Sequence, residues 1–243
     1  MTLRLPIRQA APHAGSIMAF GLTALLSILP LQAGHAHGDH SHDHDAGHAK
    51  ATAAPASSPA GGTAVVGQKA PEFTLKDLDG KEHSLAGYLA QGKTVVLEWF
   101  NPDCPFVKRH HEQTKLMKKT SKNFGGEVVW LAINSGAPGL QGAGHERNVR
   151  AKKEYGINYP ILLDEAGTVG RAYGAKTTPH MFVIRKDGVL VYAGAIDDDK
   201  AGKNPQAVNY VEQALSACKS GKQVEPASTE SYGCSVKYAS KSM

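Results

Sequence analysis

Short apolar runs alternate with charged or glycine-rich stretches along the chain, and their order predicts its elements. Thr94-Val-Val-Leu-Glu-Trp-Phe100 is β-branched and aromatic in character and reads as a buried strand. Glu127-Val-Val-Trp-Leu-Ala-Ile133 reads as a second. Ahead of them, Phe73–Asp77 and Lys81–Leu85 flank Asp79-Gly80, a strong hairpin turn. Leu85–Ala90 suits a short helical turn. The charged, proline-free stretch after Pro105 predicts a helix to about Asn123, closed by Gly125-Gly126. Ser135–Gly144 is a glycine-rich loop without either phosphate-cradling glycine pattern. His145–Tyr155 predicts a helix, Tyr159–Leu163 a short strand and Gly167–Tyr173 another helical turn. Thr177-Thr178-Pro179 then enters Met181–Arg185, which Asp187-Gly188 turns into Val189–Tyr192, an antiparallel hairpin. Asn204–Cys218 predicts the last helix, with a tail beyond it. This order predicts an α/β domain with a mixed central sheet and helices on both faces.

The first quarter of the chain is different. Arg4 and Arg8 precede the apolar run Ile17–Leu29, small residues follow, and residues 1–33 read as an export signal cleaved after Ala33 or Ala36. The run is short for a membrane span, so an uncleaved anchor is the lesser alternative. The expected location is the periplasm or another extracytoplasmic space. Residues 34–50 hold His35, His37, His40, His42, His44 and His48 among acidic residues. Such a tract takes up Zn, Cu or Ni adventitiously, although its spacing fixes no geometry. Residues 51–64 are an Ala/Pro/Ser/Gly linker. The folded domain is expected over 65–220, followed by a tail over 221–243. Deleting residues 34–63 is therefore expected to leave the fold intact.

Charge excludes little else. Arg4 and Arg8 supply two of the net +5 charges, and no basic stripe interleaved with aromatics suggests nucleic acid. The lysines Lys115, Lys118, Lys119 and Lys122 read as a solvated helix face. Three cysteines without a paired C-x-x-C are too few for a disulfide scaffold and badly spaced for structural zinc.

One of them has a special place. Cys104 lies in Asn101-Pro-Asp-Cys-Pro-Phe-Val107, where a strand hands over to a helix. The free N–H groups and dipole of a helix start favour thiolate there. Pro105 suits the first helical turn, and Asp103 is a possible cap opposing thiolate formation. Cys104 is the candidate nucleophile, against a disulfide sulfur or a peroxide oxygen.

Residues 65–220 resemble the thioredoxin-like superfamily, in its redoxin (AhpC/TSA-like) and TlpA-like branch. The resemblance rests on Val66-Gly-Gln-Lys-Ala-Pro-Glu-Phe-Thr-Leu75, on Trp99–Val107, on Thr178-Pro179 and on Lys186–Asp197. It implies a thiol–disulfide oxidoreductase, or else a thiol peroxidase, that requires no cofactor. Its partners would be protein or small-molecule disulfides, thiols or peroxides, with an external thiol reductant or oxidant. Two departures matter. Val107 replaces the second cysteine of a C-x-x-C, so the motif forms no disulfide of its own. Leu97 and Asn101 stand where a peroxiredoxin pattern has proline and threonine, which lowers the peroxidase reading. A metal-handling role for the histidine tract is a third reading.

The remaining roles follow from chemistry and resemblance together. Cys234, beyond the last helix among polar neighbours, is the candidate resolver of Cys104; a free or intermolecular thiol is its alternative. Cys218 keeps the register of Val208, Val211 and Leu215 and reads as a core residue. Glu98 resembles the buried acid beneath a thioredoxin active site, with a raised pKa and a proton for the resolving thiol; an outward-facing strand position is the alternative. Pro179 would be cis and face Cys104. His180 either stabilises a thiolate or sits on the surface. Of Lys108, Arg109, His110 and His111, one is expected to face Cys104 and the rest solvent.

Overall fold

The computed structural model describes residues 63–240. The expected export signal over 1–33, the histidine tract over 34–50 and nearly all of the linker lie outside the described residues. Strands are β1 (Thr74–Lys76), β2 (Glu82–Ser84), β3 (Thr94–Trp99), β4 (Val128–Asn134), β5 (Ile161–Leu163), β6 (Thr177–Thr178), β7 (Met181–Ile184), β8 (Leu190–Gly194) and β9 (Cys234–Ser235). Helices are α1 (Leu85–Ala90), α2 (Pro105–Lys108), α3 (Leu116–Asn123), α4 (His145–Glu154), α5 (Thr168–Ala172) and α6 (Tyr210–Lys219). Five strands form the central sheet in the order β5-β4-β3-β7-β8. β3 pairs parallel with β4 and antiparallel with β7, so the sheet is mixed.

The two-residue period of β3 divides the core. Val96, Glu98 and Phe100 face one side, with Trp130, Ala132, Met181 and Val183 from neighbouring strands. Met117 of α3, Ala151 of α4 and Val211, Ala214 and Leu215 of α6 cover that side. Val95, Leu97 and Trp99 face the other, under Leu85 of α1 and Val169 of α5. Because β3 is central and covered on both faces, its side chains from Val95 to Trp99 are all buried. Its C-terminal end, and the turn that follows, inherit that rigidity.

Three elements differ from the sequence expectation. The single helix from Pro105 to Asn123 is broken. α2 passes into a π-helical stretch, Arg109–Gln113, and Lys115 takes a left-handed φ of 53° before α3 begins. Its lysine-rich composition suits a solvated helix and hides the break, because His110, His111 and Met117 are drawn into the core. The last helix starts at Tyr210, where Asn209 accepts from Glu212 N–H as its cap; Asn204–Asn209 are not helical. The tail is also packed. Ala227 and Thr229 bond to the backbone of Ala193, β9 pairs antiparallel with β6, and Lys237 bonds to Ala137. At the other end Ala64 N–H donates to Ala172, so order extends slightly before Val65.

Candidate active site

The site forms where β3 ends. Asn101 shapes the turn: its Oδ1 accepts from Asp103 N–H at 2.8 Å and its Nδ2 donates to the Gln141 carbonyl at 3.0 Å. The glycine-rich loop therefore buttresses the turn, and a Cβ at Gly142 would collide with the Asn101 amide. Asp103 does not cap α2. Its carboxylate takes Arg147 Nε at 2.8 Å, and Cys104 itself occupies the cap position in extended backbone, with Pro105 next. Tyr155 Oη donates to the Pro102 carbonyl at 2.6 Å. An open cleft of about 480 Å³ runs past Pro102–Pro105, Lys108, Arg147 and Tyr155.

The Thr178–Pro179 peptide is cis, and the Thr178 carbonyl points at the candidate nucleophile: Cys104 Sγ–H donates to it at 2.9 Å. Cys104 is fully buried. The tail completes the site. Thr178 pairs with Cys234 in the β6–β9 ladder, which sets the Cys234 thiol beside Cys104. Burial, and then the neighbouring Cys104 sulfur, push the Cys234 thiol above its ordinary value. All three thiols are free. Cys218 is elsewhere, half-buried on α6 against the core, and burial pushes its thiol up.

Glu98 lies in the sheet beneath, with no exposed surface. Its carboxylate takes three donors: His111 Nε2 at 2.7 Å, Trp130 Nε1 at 3.0 Å and Tyr159 Oη at 2.8 Å. Burial pushes the carboxyl up, but His111 and these hydrogen bonds prevail and hold it below the ordinary carboxylate value. This corrects the raised pKa and the outward-facing alternative. The hydrogen bonds of Glu98 go to these three groups and to neither cysteine.

The histidines are corrected too. His180 is buried, its ring 4.4 Å from that of Phe182, and its Nδ1 accepts from Lys176 N–H. Burial and then Lys176 push its pKa down to about 4, so it is neutral near pH 7 and supplies no positive charge to a thiolate. His110 and His111 are buried rather than solvated. Burial, then Arg109, pushes His110 down to about 4. Arg109 reaches the carbonyls of Asp199 and Lys200, and Lys108 is exposed. Among the described residues no group of three His, Cys, Asp or Glu is placed to hold a metal ion. His35, His37, His40, His42, His44 and His48 lie outside them.

The sequence reading missed the residues that seat the tail. Tyr232 fits against Phe106 and His110 and donates to Asp197. Tyr238 lies over Arg171 at 4.7 Å, donates to the Ala175 carbonyl at 2.9 Å and fills the space beside Gly167 and Gly170. Two aromatics flanking Cys234 in an otherwise polar segment were the available signal.

A mixed sheet whose central strand delivers a cysteine to a helix start, against a cis-proline loop, defines a thioredoxin-like protein. Within that class the chain belongs to the redoxin family, whose model matches residues 65–211. It is 36% identical over 124 residues to the thiol-disulfide oxidoreductase ResA of Geobacillus thermodenitrificans, covering 51% of this chain and 65% of that protein. It is 30% identical over 125 residues to the thioredoxin-like protein YneN of Bacillus subtilis, covering 51% of this chain and 68% of that protein. A crystal structure of a hypothetical protein from Sinorhizobium meliloti superposes with a TM-score of 0.66 at 29% identity, covering 74% of this chain and 97% of that one. The chain thus spans just under two thirds of the ResA relative.

Proposed function

We propose that the chain is a thiol–disulfide oxidoreductase in which Cys104 is the nucleophile and Cys234 the resolver. One observation carries this reading: Cys234, distant in sequence, is paired backbone to backbone with Thr178, whose carbonyl receives the Cys104 thiol. A second thiol held there replaces the cysteine missing at Val107. The Cys104 thiolate attacks one sulfur of a substrate disulfide and releases the first thiolate. Cys234, giving its proton to solvent, then attacks the Cys104 sulfur and releases the second. The substrate gains two electrons, and an external dithiol returns the protein to its reduced form. Pro179 holds the loop against Cys104. Glu98 serves as a charged anchor for His111, Trp130 and Tyr159 under the site. Residues 1–33 support export, and an oxidising compartment suits such chemistry.

The test is reduction of a disulfide substrate by reduced protein. Cys104→Ser is expected to abolish turnover, and Cys234→Ser to stop at a mixed disulfide on Cys104. Undiminished turnover by Cys104→Ser overturns the proposal.

A further inference from the structure

The tail crosses the site as a strap, and its attachment just before Cys234 is more specific than a surface contact. Tyr232 is 8% exposed. Its ring centroid lies 5.8 Å from Phe106, on the helix that begins after Cys104, and 6.1 Å from His110. The Arg109 guanidinium lies 5.9 Å from the same ring. Its hydroxyl donates to Asp197 Oδ1 and lies 3.0 Å from His110 Nε2. Asp197 follows β8, and His110 lies in the π-helical stretch that continues α2, so one side chain ties the strap both to the segment leaving β8 and to the helical segment that begins after Cys104. Ser231 Oγ adds a bond to Thr177 Oγ1 at 2.9 Å. Gly233 then passes so close to the Thr178 carbonyl that no side chain fits.

We propose that Tyr232 is a positioning residue for the exchange between Cys104 and Cys234. Held by Asp197 and His110 against Phe106, it keeps the resolving sulfur at the attacking position, so that an intramolecular step outruns attack by a second thiol. The proposal rests on the resolving role of Cys234. Holding a reacting group in place raises its effective concentration steeply, and a strap loosened by a single lost bond samples many unproductive positions. The hydroxyl bond goes to a carboxylate, the stronger class of hydrogen bond. Its loss is therefore expected to slow resolution by about tenfold or more.

The experiment uses the reduced full chain and glutathione disulfide. Samples are acid-quenched over time, and the glutathione adduct on Cys104 and the internal disulfide are counted by peptide mass mapping. In the wild type the adduct is expected to be short-lived. In Cys234→Ser it should persist. In Tyr232→Phe, which keeps the ring, it should form at least as fast as in wild type and decay about tenfold more slowly. That split separates positioning from general loss of structure, which would slow both steps. Tyr232→Ala should lengthen the adduct lifetime further. Wild-type decay in Tyr232→Phe, with the adduct still persistent in Cys234→Ser, overturns the positioning role and leaves the resolver intact. Equal persistence in wild type and Cys234→Ser overturns both. Slowing of both steps alike in Tyr232→Phe also overturns the positioning role.

Discussion

Replacing Gly233 by alanine should open the site. Its φ of 138° is one that side chains disfavour, and a Cβ there would lie 2.7 Å from the Thr178 carbonyl carbon and 3.3 Å from Pro179 N, with the Thr178 oxygen nearer still. Those atoms are backbone of β6 and of the cis-proline loop, not the far end of a flexible side chain, so the contact is not relieved by a rotamer change. Ordinary carbon contacts begin near about 3.5 Å, so the strap has to retreat by roughly 1 Å. The retreat weakens the two-residue ladder of Thr177 and Thr178 with Ser235 and Cys234. Backbone strain costs about 1–3 kcal/mol and each weakened hydrogen bond about 1 kcal/mol. Together they lower the cost of strap opening by about 2–4 kcal/mol, which is roughly thirtyfold to a thousandfold in the open population. The assay is alkylation of native, reduced protein by iodoacetamide, with Cys104 followed by peptide mapping. Cys104 is fully buried in the closed state, so its labelling reports opening. Gly221→Ala is the control: φ there is 66° and nothing lies within 4 Å of its Cβ, so it carries backbone strain without a collision. Wild-type labelling of Cys104 in Gly233→Ala would refute the reasoning, and so would equal acceleration in the control.

Two further predictions concern the buried polar groups. Glu98→Leu leaves His111, Trp130 and Tyr159 without their shared acceptor in the core, and urea unfolding should show a loss of about 3–5 kcal/mol; a loss below about 1 kcal/mol contradicts the network. His180 has a native pKa near 4 against an ordinary 6.5, so the unfolded chain takes up a proton that the native chain refuses as pH falls through that window. Its contribution is complete above the unfolded value and is lost as pH falls to about 4, on the order of a few kcal/mol. His180→Gln should therefore show a shallower stability decline between those pH values in urea titrations. An unchanged slope rules this out.

What the sequence shows and hides follows from the range of the forces involved. The β3 strand is legible because a β-branched run encodes it locally, and the Asn101–Pro105 turn and the Thr178-Pro179 loop because short local motifs carry the family resemblance. Cys104 at a strand–helix junction needs no distant partner to be recognised. The position of Cys234 beside it depends on Tyr232 meeting Asp197 and on Tyr238 meeting Gly167 and Gly170, contacts between residues far apart in sequence. A polar tail with a glycine carries no periodicity that announces such docking. Glu98 shows the same limit with charge. Its place in an apolar strand leaves both a buried and an outward-facing position open, and only His111, Trp130 and Tyr159, met in the fold, hold its carboxyl below the ordinary value. The π-helical stretch at Arg109–Gln113 is likewise invisible in composition, since solvated and buried histidines look alike there.

The central claim is that Cys104 and Cys234 form one redox pair. Non-reducing peptide mapping of the protein, before and after one equivalent of glutathione disulfide, tests it most directly. The account predicts a Cys104–Cys234 disulfide in the oxidised sample, with Cys218 still free. If Cys104 and Cys234 both remain thiols, or if Cys104 is found joined to Cys218, the account is wrong.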